Sequence, residues 1–237
     1  MPFGPDITSY LTWFRQHGGQ ELYEILYQSH NIHSIVCGIT GAAAAGWFNH
    51  PINEIAELKQ LKIAATGLAS RVYKHTGATT VNIAPVDLQN ALKLKQVHAV
   101  AFSTPAADQY LGLQKFFKYY YFPGWFQQAG IVDLMINLAN WDSLTKTQQK
   151  MIETTCMANI EYSLSANESV QFEALKNMAA SGVDVRKFSP QLTQKLKRAW
   201  LNVARSSASK NKSFRRVLIS LRKFRKDYSI WQDLGKI

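Results

Sequence analysis

Between Leu61 and Phe122 short β-branched or aromatic runs alternate with helical stretches, and this constrains the fold more than any other feature of the chain. Leu61-Lys62-Ile63-Ala64 reads as a strand, and Leu68 to His75 as a helix closed by Gly77. Thr79 to Ile83 is a strand, and Asp87 to Leu94 a helix with Asp87 near its cap. Val97 to Phe102 is a strand, and Pro105 to Phe117 a helix with proline in its first turn. Tyr119-Tyr120-Tyr121-Phe122 is again a strand. Alternation at this spacing predicts an α/β lobe with a largely parallel sheet.

The flanks have a different texture. Asp6 or Thr8 caps a first helix, Gly18-Gly19 interrupts it, and Glu21 to Tyr27 resumes the helical pattern. Ile32 to Cys37 is a short β-branched strand that ends at Gly38 and leads into a turn-rich segment. After Pro123-Gly124-Trp125, the run Gly130 to Asn137 reads as a long strand. A helix from Ser143 or Thr145 runs without Gly or Pro to Ser181, and Gly182 stops it. Val183-Asp184-Val185 is a short strand, Ser189-Pro190 caps a basic helix, and a last helical stretch covers Phe214 to Phe224.

Charge is distributed unevenly. The net charge is +11, yet Arg186 to Lys226 holds fourteen Lys/Arg and no Asp/Glu, leaving 13 basic against 16 acidic residues elsewhere. The positive charge is one C-terminal segment on a mildly acidic body. Leu192, Leu196, Ala199, Trp200 and Val203 recur there at helical spacing, so it reads as an amphipathic helix with a solvated basic face. No zinc finger, RNP-like aromatic motif or Gly-rich phosphate loop accompanies it, and no nucleic-acid partner is expected. No window approaches the roughly 20 apolar residues of a membrane helix. Met1-Pro2-Phe3-Gly4-Pro5-Asp6 lacks signal-peptide character, which fits a cytoplasmic chain or a mature or truncated piece. Cys37 and Cys156 lie far apart and read as buried free thiols.

Candidate chemistry is sparse. Of the six histidines only His30 and His33 are close, and no Glu or Cys completes a metal spacing. Ser165 lies in a helix rather than a Gly-flanked elbow, and Gly38-Ile39-Thr40-Gly41 fits no nucleotide-binding fingerprint. Asp108, Asp133 and Asp142 stand isolated, as caps or surface groups. Nothing demands an enzyme. The aromatics Trp47-Phe48, Phe102, Tyr119 to Phe122 and Trp125-Phe126 sit at strand ends or in the following loops. There they would either wall a small-ligand site or pack helices onto the sheet.

Several strings match a known pattern: Cys37-Gly38-Ile39-Thr40-Gly41, Gly46-Trp47-Phe48 with Pro51-Ile52, and Leu61-Lys62-Ile63. Gly67-Leu68-Ala69, Pro105 with Asp108, Tyr119-Tyr120-Tyr121 and Pro123-Gly124-Trp125 continue it. In order and spacing the chain resembles the solute-binding subunit of TRAP transporters, the DctP-like family, in its keto-acid and small-carboxylate branch. The resemblance implies a periplasmic two-lobed binding fold of type II that closes on its ligand and delivers it to a membrane permease. It implies that the chain is N-terminally truncated, with most of the first lobe missing. Residues 1–38 would then be a remnant of that lobe and 39–125 the second α/β lobe. Residues 126–185 would hold a crossover strand and a long helix spanning both lobes, and 186–237 the basic C-terminal helices.

Departures from the family pattern fall at its ligand positions. Where the family places an arginine that clamps the ligand carboxylate, this chain has Ala64. The branch's metal-binding glutamine matches Ala43, and its Glu-Trp pair reads Ala101-Phe102, so both metal-ligand positions are alanines. The usual Asp three residues earlier is His98, and the histidine after Pro-Gly-Trp is Phe126. Truncating a charge-assisted clamp costs roughly 2–5 kcal/mol, or about 30- to 4000-fold in affinity. The branch's sodium or calcium site is therefore expected to be lost. Trp47, Phe102 and Trp125 would leave an aromatic, neutral pocket for a carboxylate or a less charged solute. Exposed sheet edges would favour a homodimer. A second reading is a non-transport scaffold fragment whose basic C-terminal helices contact acidic partners.

Overall fold

Local signals place most elements. The Asp6 carboxylate accepts from the Ser9 amide at 2.8 Å and caps α1 (Ile7–Gln16). Gly18, at φ 81°, turns the chain into α2 (Gly19–Gln28). The β-branched run that follows forms β1 (Ile32–Thr40). Then come β2 (Gly46–Phe48), β3 (Lys62–Ala64), α3 (Gly67–His75), β4 (Thr79–Val81) and α4 (Pro85–Lys93). After them lie β5 (Ala99–Val100), α5 (Pro105–Tyr110) and β6 (Tyr119–Tyr121). The last third holds β7 (Gly130–Asn137), α6 (Leu138–Ser143), α7 (Lys146–Ala180), β8 (Asp184–Arg186), α8 (Pro190–Lys210) and α9 (Lys212–Leu234). This computed structural model describes residues 1–235. Among them no helix is long and apolar enough to cross a membrane.

The residues group into two compact units. One comprises Met1–Gly4, Gly41–Gln128 and Asn167–Arg205, and the other Pro5–Thr40, Ala129–Ala166 and the residues from Ser206 onward. α7 supplies residues to both.

The first unit is built on a six-stranded sheet of order β4-β3-β5-β2-β6-β8. All neighbouring pairs are parallel except those of β2, which is antiparallel to β5 and β6. The parallel alternation read from the sequence is thus present, with one reversed strand in its interior. Trp47 of β2 stands opposite Val100 and Tyr120 and is fully buried. A ring of that size removes about 150–250 Å² from water, worth roughly 4–6 kcal/mol of apolar burial. Leu88, Leu113, Phe117 and Met178 close the same cluster. The helix read over Pro105 to Phe117 stops early, because Gly112 adopts φ 70° and the chain restarts as a 3-10 turn at Leu113–Lys115.

The second unit pairs β1 with β7 in a two-stranded antiparallel sheet, with Ile35 opposite Leu134. The register shifts between Val36 and Gly38, so Cys37 sits at a bulge. The free-thiol expectation is overturned here: Cys37 and Cys156 form a disulfide that ties the bulge to α7. Asn159 donates to the Cys37 carbonyl at 2.6 Å, and the Ile39 amide donates to the Ser163 hydroxyl at 3.2 Å. Residues 156, 159 and 163 share one helix face, so three positions on neighbouring turns of α7 hold one strand segment. Nothing in a spacing of 119 residues announces this pairing. Leu218, Leu221 and Phe224 of α9 are buried in this unit, and Trp13 Nε1 donates to Ser220 at 3.1 Å.

Candidate functional site

β3, β5 and β6 end at one edge of the first unit's sheet, where antiparallel β2 begins. The segment before β2 lies along that edge. The Ala43 amide donates to the Gln127 carbonyl at 3.0 Å, and the Gly124 amide donates to the Ala43 carbonyl at 2.6 Å. Ala44 donates to Ser103 at 2.8 Å, and Ala45 to Tyr121 at 2.8 Å. At the neighbouring strands the Ala101 amide donates to the Ala64 carbonyl at 2.9 Å. Ala43, Ala64, Ala101 and the Trp125-Phe126 turn therefore gather at one sheet edge, although up to 83 positions separate them in the sequence.

Glycine makes this closeness possible. A Cβ on Gly124 would stand 2.5 Å from the Ala43 oxygen and 2.7 Å from the Ala44 carbonyl carbon, so only glycine lets the two loops meet.

The edge presents methyl groups rather than charge. Ala43, Ala64 and Ala101 are 1%, 6% and 7% exposed, and Ala64 packs in the core cluster with Trp47 and Leu88. Phe102 packs against that cluster, and Phe126 is half-buried. Trp125 lies between Phe3, at a ring distance of 5.7 Å, and Tyr73 at 5.2 Å. Among the described residues the buried Trp125 Nε1 meets no acceptor in full hydrogen-bonding geometry. Burial pushes the Tyr73 hydroxyl well above the usual phenol range, and it donates to the Ala45 carbonyl at 3.0 Å.

Behind the edge lies the polar group that the sequence did not reveal. Asp108, isolated in the sequence like a cap or surface residue, is fully buried in the first turn of α5. Trp47 Nε1 donates to its Oδ2 at 3.0 Å, while among the described residues no donor meets Oδ1 in full hydrogen-bonding geometry, the Ser103 backbone and the Tyr120 hydroxyl interacting with the carboxylate more loosely. Burial raises its pKa to about 7, against the opposing pull of bonds from Trp47 and the Ser103 backbone. Tyr120, whose ring packs 4.3 Å from Trp47, is pushed far upward by its own burial and then by Asp108. Sequence neighbours could not signal this, because Trp47 lies 61 residues away. Asp133 is likewise no cap: it lies within β7 and accepts from the Tyr27 hydroxyl at 3.4 Å. Gln171 of α7, also unforeseen, anchors the start of α5 by accepting from the Ala106 amide at 2.8 Å.

His98 is not brought to this edge. It precedes β5 at the opposite end of the sheet, where its Nδ1 accepts from the Lys62 amide at 3.1 Å. It borders a cleft of about 470 Å³ with His50, Glu57 and Gln60. His33 stacks on Trp141 at 4.0 Å, and among the described residues no His/Cys/Asp/Glu group is arranged to hold a metal ion.

In open α/β sheets ligands bind beyond the carboxyl strand ends, where these candidate residues collect. Solved structures agree. A TRAP transporter solute-binding protein from Bordetella bronchiseptica with calcium and picolinate superposes with a TM-score of 0.91 at 27% identity, covering 98% of this chain and 69% of that one. One from Colwellia psychrerythraea with calcium and pyruvate gives 0.91 at 28% identity, covering 98% and 71%. A monocarboxylate 2-oxoacid-binding periplasmic protein of Nostoc sp. is 28% identical over all of this chain, which spans 65% of that relative's length. The chain belongs to the family of bacterial extracellular solute-binding proteins, family 7 (DctP), whose pattern matches residues 1–211. The family is extracytoplasmic and binds solutes rather than transforming them. Its match takes in the basic helix α8, so the reading of a non-transport scaffold fragment is not favoured.

Proposed function

We propose that this chain captures a small organic solute for a TRAP-type permease, and that its ligand preference has moved away from simple carboxylates. The observation that carries the reading is the set of buried alanines at 43, 64 and 101, at one strand-end edge of a chain matched along its whole length to a 2-oxoacid-binding relative. Relatives hold calcium with picolinate or pyruvate, and sodium with pyruvate. These residues do not fit such a cation. Methyl groups stand at 43 and 101, and the Ala43 carbonyl already accepts from Gly124. Trp47, Phe102, Trp125 and Phe126 would supply an aromatic, neutral surround.

We read residues 1–38 as the remnant of a first lobe and 39–125 as the second. Residues 126–185 are read as the crossover strand with a lobe-joining helix, and 186–237 as the basic C-terminal helices. The 35-residue α7 supports that role by contributing to both units. The exposed residues Val132 and Leu134, on one face of β7, are the surface on which a homodimer would form.

Thermal melts with pyruvate, other 2-oxoacids and neutral analogues, each with sodium or calcium, test the reading. A ligand at about 100 times its dissociation constant adds about 2.7 kcal/mol and raises the midpoint by several degrees. No shift with pyruvate is expected in the native chain, and a shift in the triple variant Ala43→Gln/Ala64→Arg/Ala101→Glu. The three belong together, because Ala64→Arg alone places an unpaired guanidinium against the core cluster. A selective pyruvate-plus-calcium shift in the native chain would overturn the altered preference. A folded triple variant without one would overturn the site mapping.

A further inference from the structure

We propose that the outward face of α9 is a docking surface for an anionic phospholipid bilayer. α9 begins just beyond the residues that the family match covers, so that match assigns nothing to its surface. Its inner face is fixed. Leu218, Leu221 and Phe224 are buried, the His17 ring packs 4.9 Å from Phe224, and Gln232 donates to Ser9 at 2.8 Å. The opposite face is therefore presented on a held helix.

Along that face Arg216, Ile219, Lys223, Lys226, Ile230 and Leu234 recur at spacings of three and four, and all are exposed. Lys212, Arg215 and Arg222 flank the stripe. Among the described residues none of these cations enters an ion pair. The two acids of the helix, Asp227 and Asp233, lie three or four positions from Lys223 and Ile230, beside the apolar end of the stripe, and the six cations outnumber them. Ile219, Ile230, Trp231 and Leu234 are 61%, 67%, 68% and 83% exposed. Cations alone would suit any polyanion. Exposed isoleucines and a leucine in the same stripe, with a tryptophan at its end, suit a bilayer, whose headgroup region takes apolar side chains and indoles. A nucleic-acid backbone offers those side chains nothing. At 23 residues α9 is about 34 Å long, so lying flat it sets its cations and its apolar end on one plane.

Each cation near an anionic surface strengthens partitioning about fivefold, an effect that salt screens. The experiment is co-sedimentation of the full chain with vesicles of phosphatidylglycerol in phosphatidylcholine, and of phosphatidylcholine alone, at low and high salt. Binding is expected only to the anionic vesicles and only at low salt. Arg216→Gln/Lys223→Gln/Lys226→Gln should weaken it about a hundredfold with an unchanged melt. Brominated lipid should quench a fluorescence component that Trp231→Phe removes. The proposal is overturned if anionic vesicles are not bound at low salt, if neutral vesicles bind equally, or if the triple variant binds like the native chain. It is also overturned if duplex DNA displaces the vesicles and Leu234→Ala leaves both affinities unchanged, which would mark a polynucleotide surface.

Discussion

Breaking the Cys37–Cys156 bond should lower the melting midpoint far more than the loss of any other single contact. The disulfide closes a loop of 119 residues. Chain-entropy reasoning for a loop of that length gives about 5 kcal/mol of destabilisation of the unfolded chain. For a chain of this size about 1 kcal/mol moves the midpoint by roughly 2–4 °C, so the shift is on the order of 10–20 °C. The native side changes little, because Asn159 still donates to the Cys37 carbonyl and the Ile39 amide to Ser163. The assay is a thermal melt of the native chain with and without reductant beside Cys37→Ser/Cys156→Ser. Reduced chain and double variant should coincide, both well below the oxidised chain. Midpoints within a few degrees of one another would refute the reasoning. They would mean that the unfolded chain retains enough structure to make the constraint redundant.

Trp47→Phe keeps most of the buried ring but removes the donor to Asp108, and should cost about 1–3 kcal/mol in chemical denaturation. Asp108 has a folded pKa of about 7, above the ordinary carboxyl value. The folded state thus holds a proton that the unfolded chain has lost, and stability falls as pH rises from about 4 through 7. Asp108→Asn, which keeps an acceptor for Trp47, should flatten that slope and gain most above pH 7; an unchanged slope would assign it to other groups. Gly124→Ala drives a methyl into the Ala43 and Ala44 backbone and should destabilise by more than the few tenths of a kcal/mol of an exposed substitution.

Periodicity made the parallel strands of the first unit legible, and β7 and α7 were visible as uninterrupted runs bounded by Gly130 and Gly182. What stayed hidden was non-local. β2 has three residues behind an alanine run, too short for an alternation signal, and only its partners β5 and β6 define it. The disulfide joins a strand bulge to a helix face, a pairing that cysteine spacing does not encode. Asp108 sits among Ala106, Ala107 and Gln109, none of which indicates burial, and its partner Trp47 comes from strand β2. That Ala43 and the Ala64/Ala101 pair lie at one sheet edge follows from backbone bonds between segments far apart in sequence. That Ala64 belongs to the hydrophobic cluster follows only from the packing of Trp47 and Leu88 around it.

The chain passes from one unit to the other at Gly4/Pro5, Thr40/Gly41, Gln128/Ala129, Ala166/Asn167 and Arg205/Ser206. Each unit is thus stitched from three separate stretches, and neither corresponds to a contiguous stretch of gene. They are not cassettes that recombination could exchange. A stop codon or a protease cut at any of these passages divides the covalent chain without freeing either unit whole. A homologous swap that leaves both intact must therefore replace several segments at once, so divergence in such a chain proceeds residue by residue.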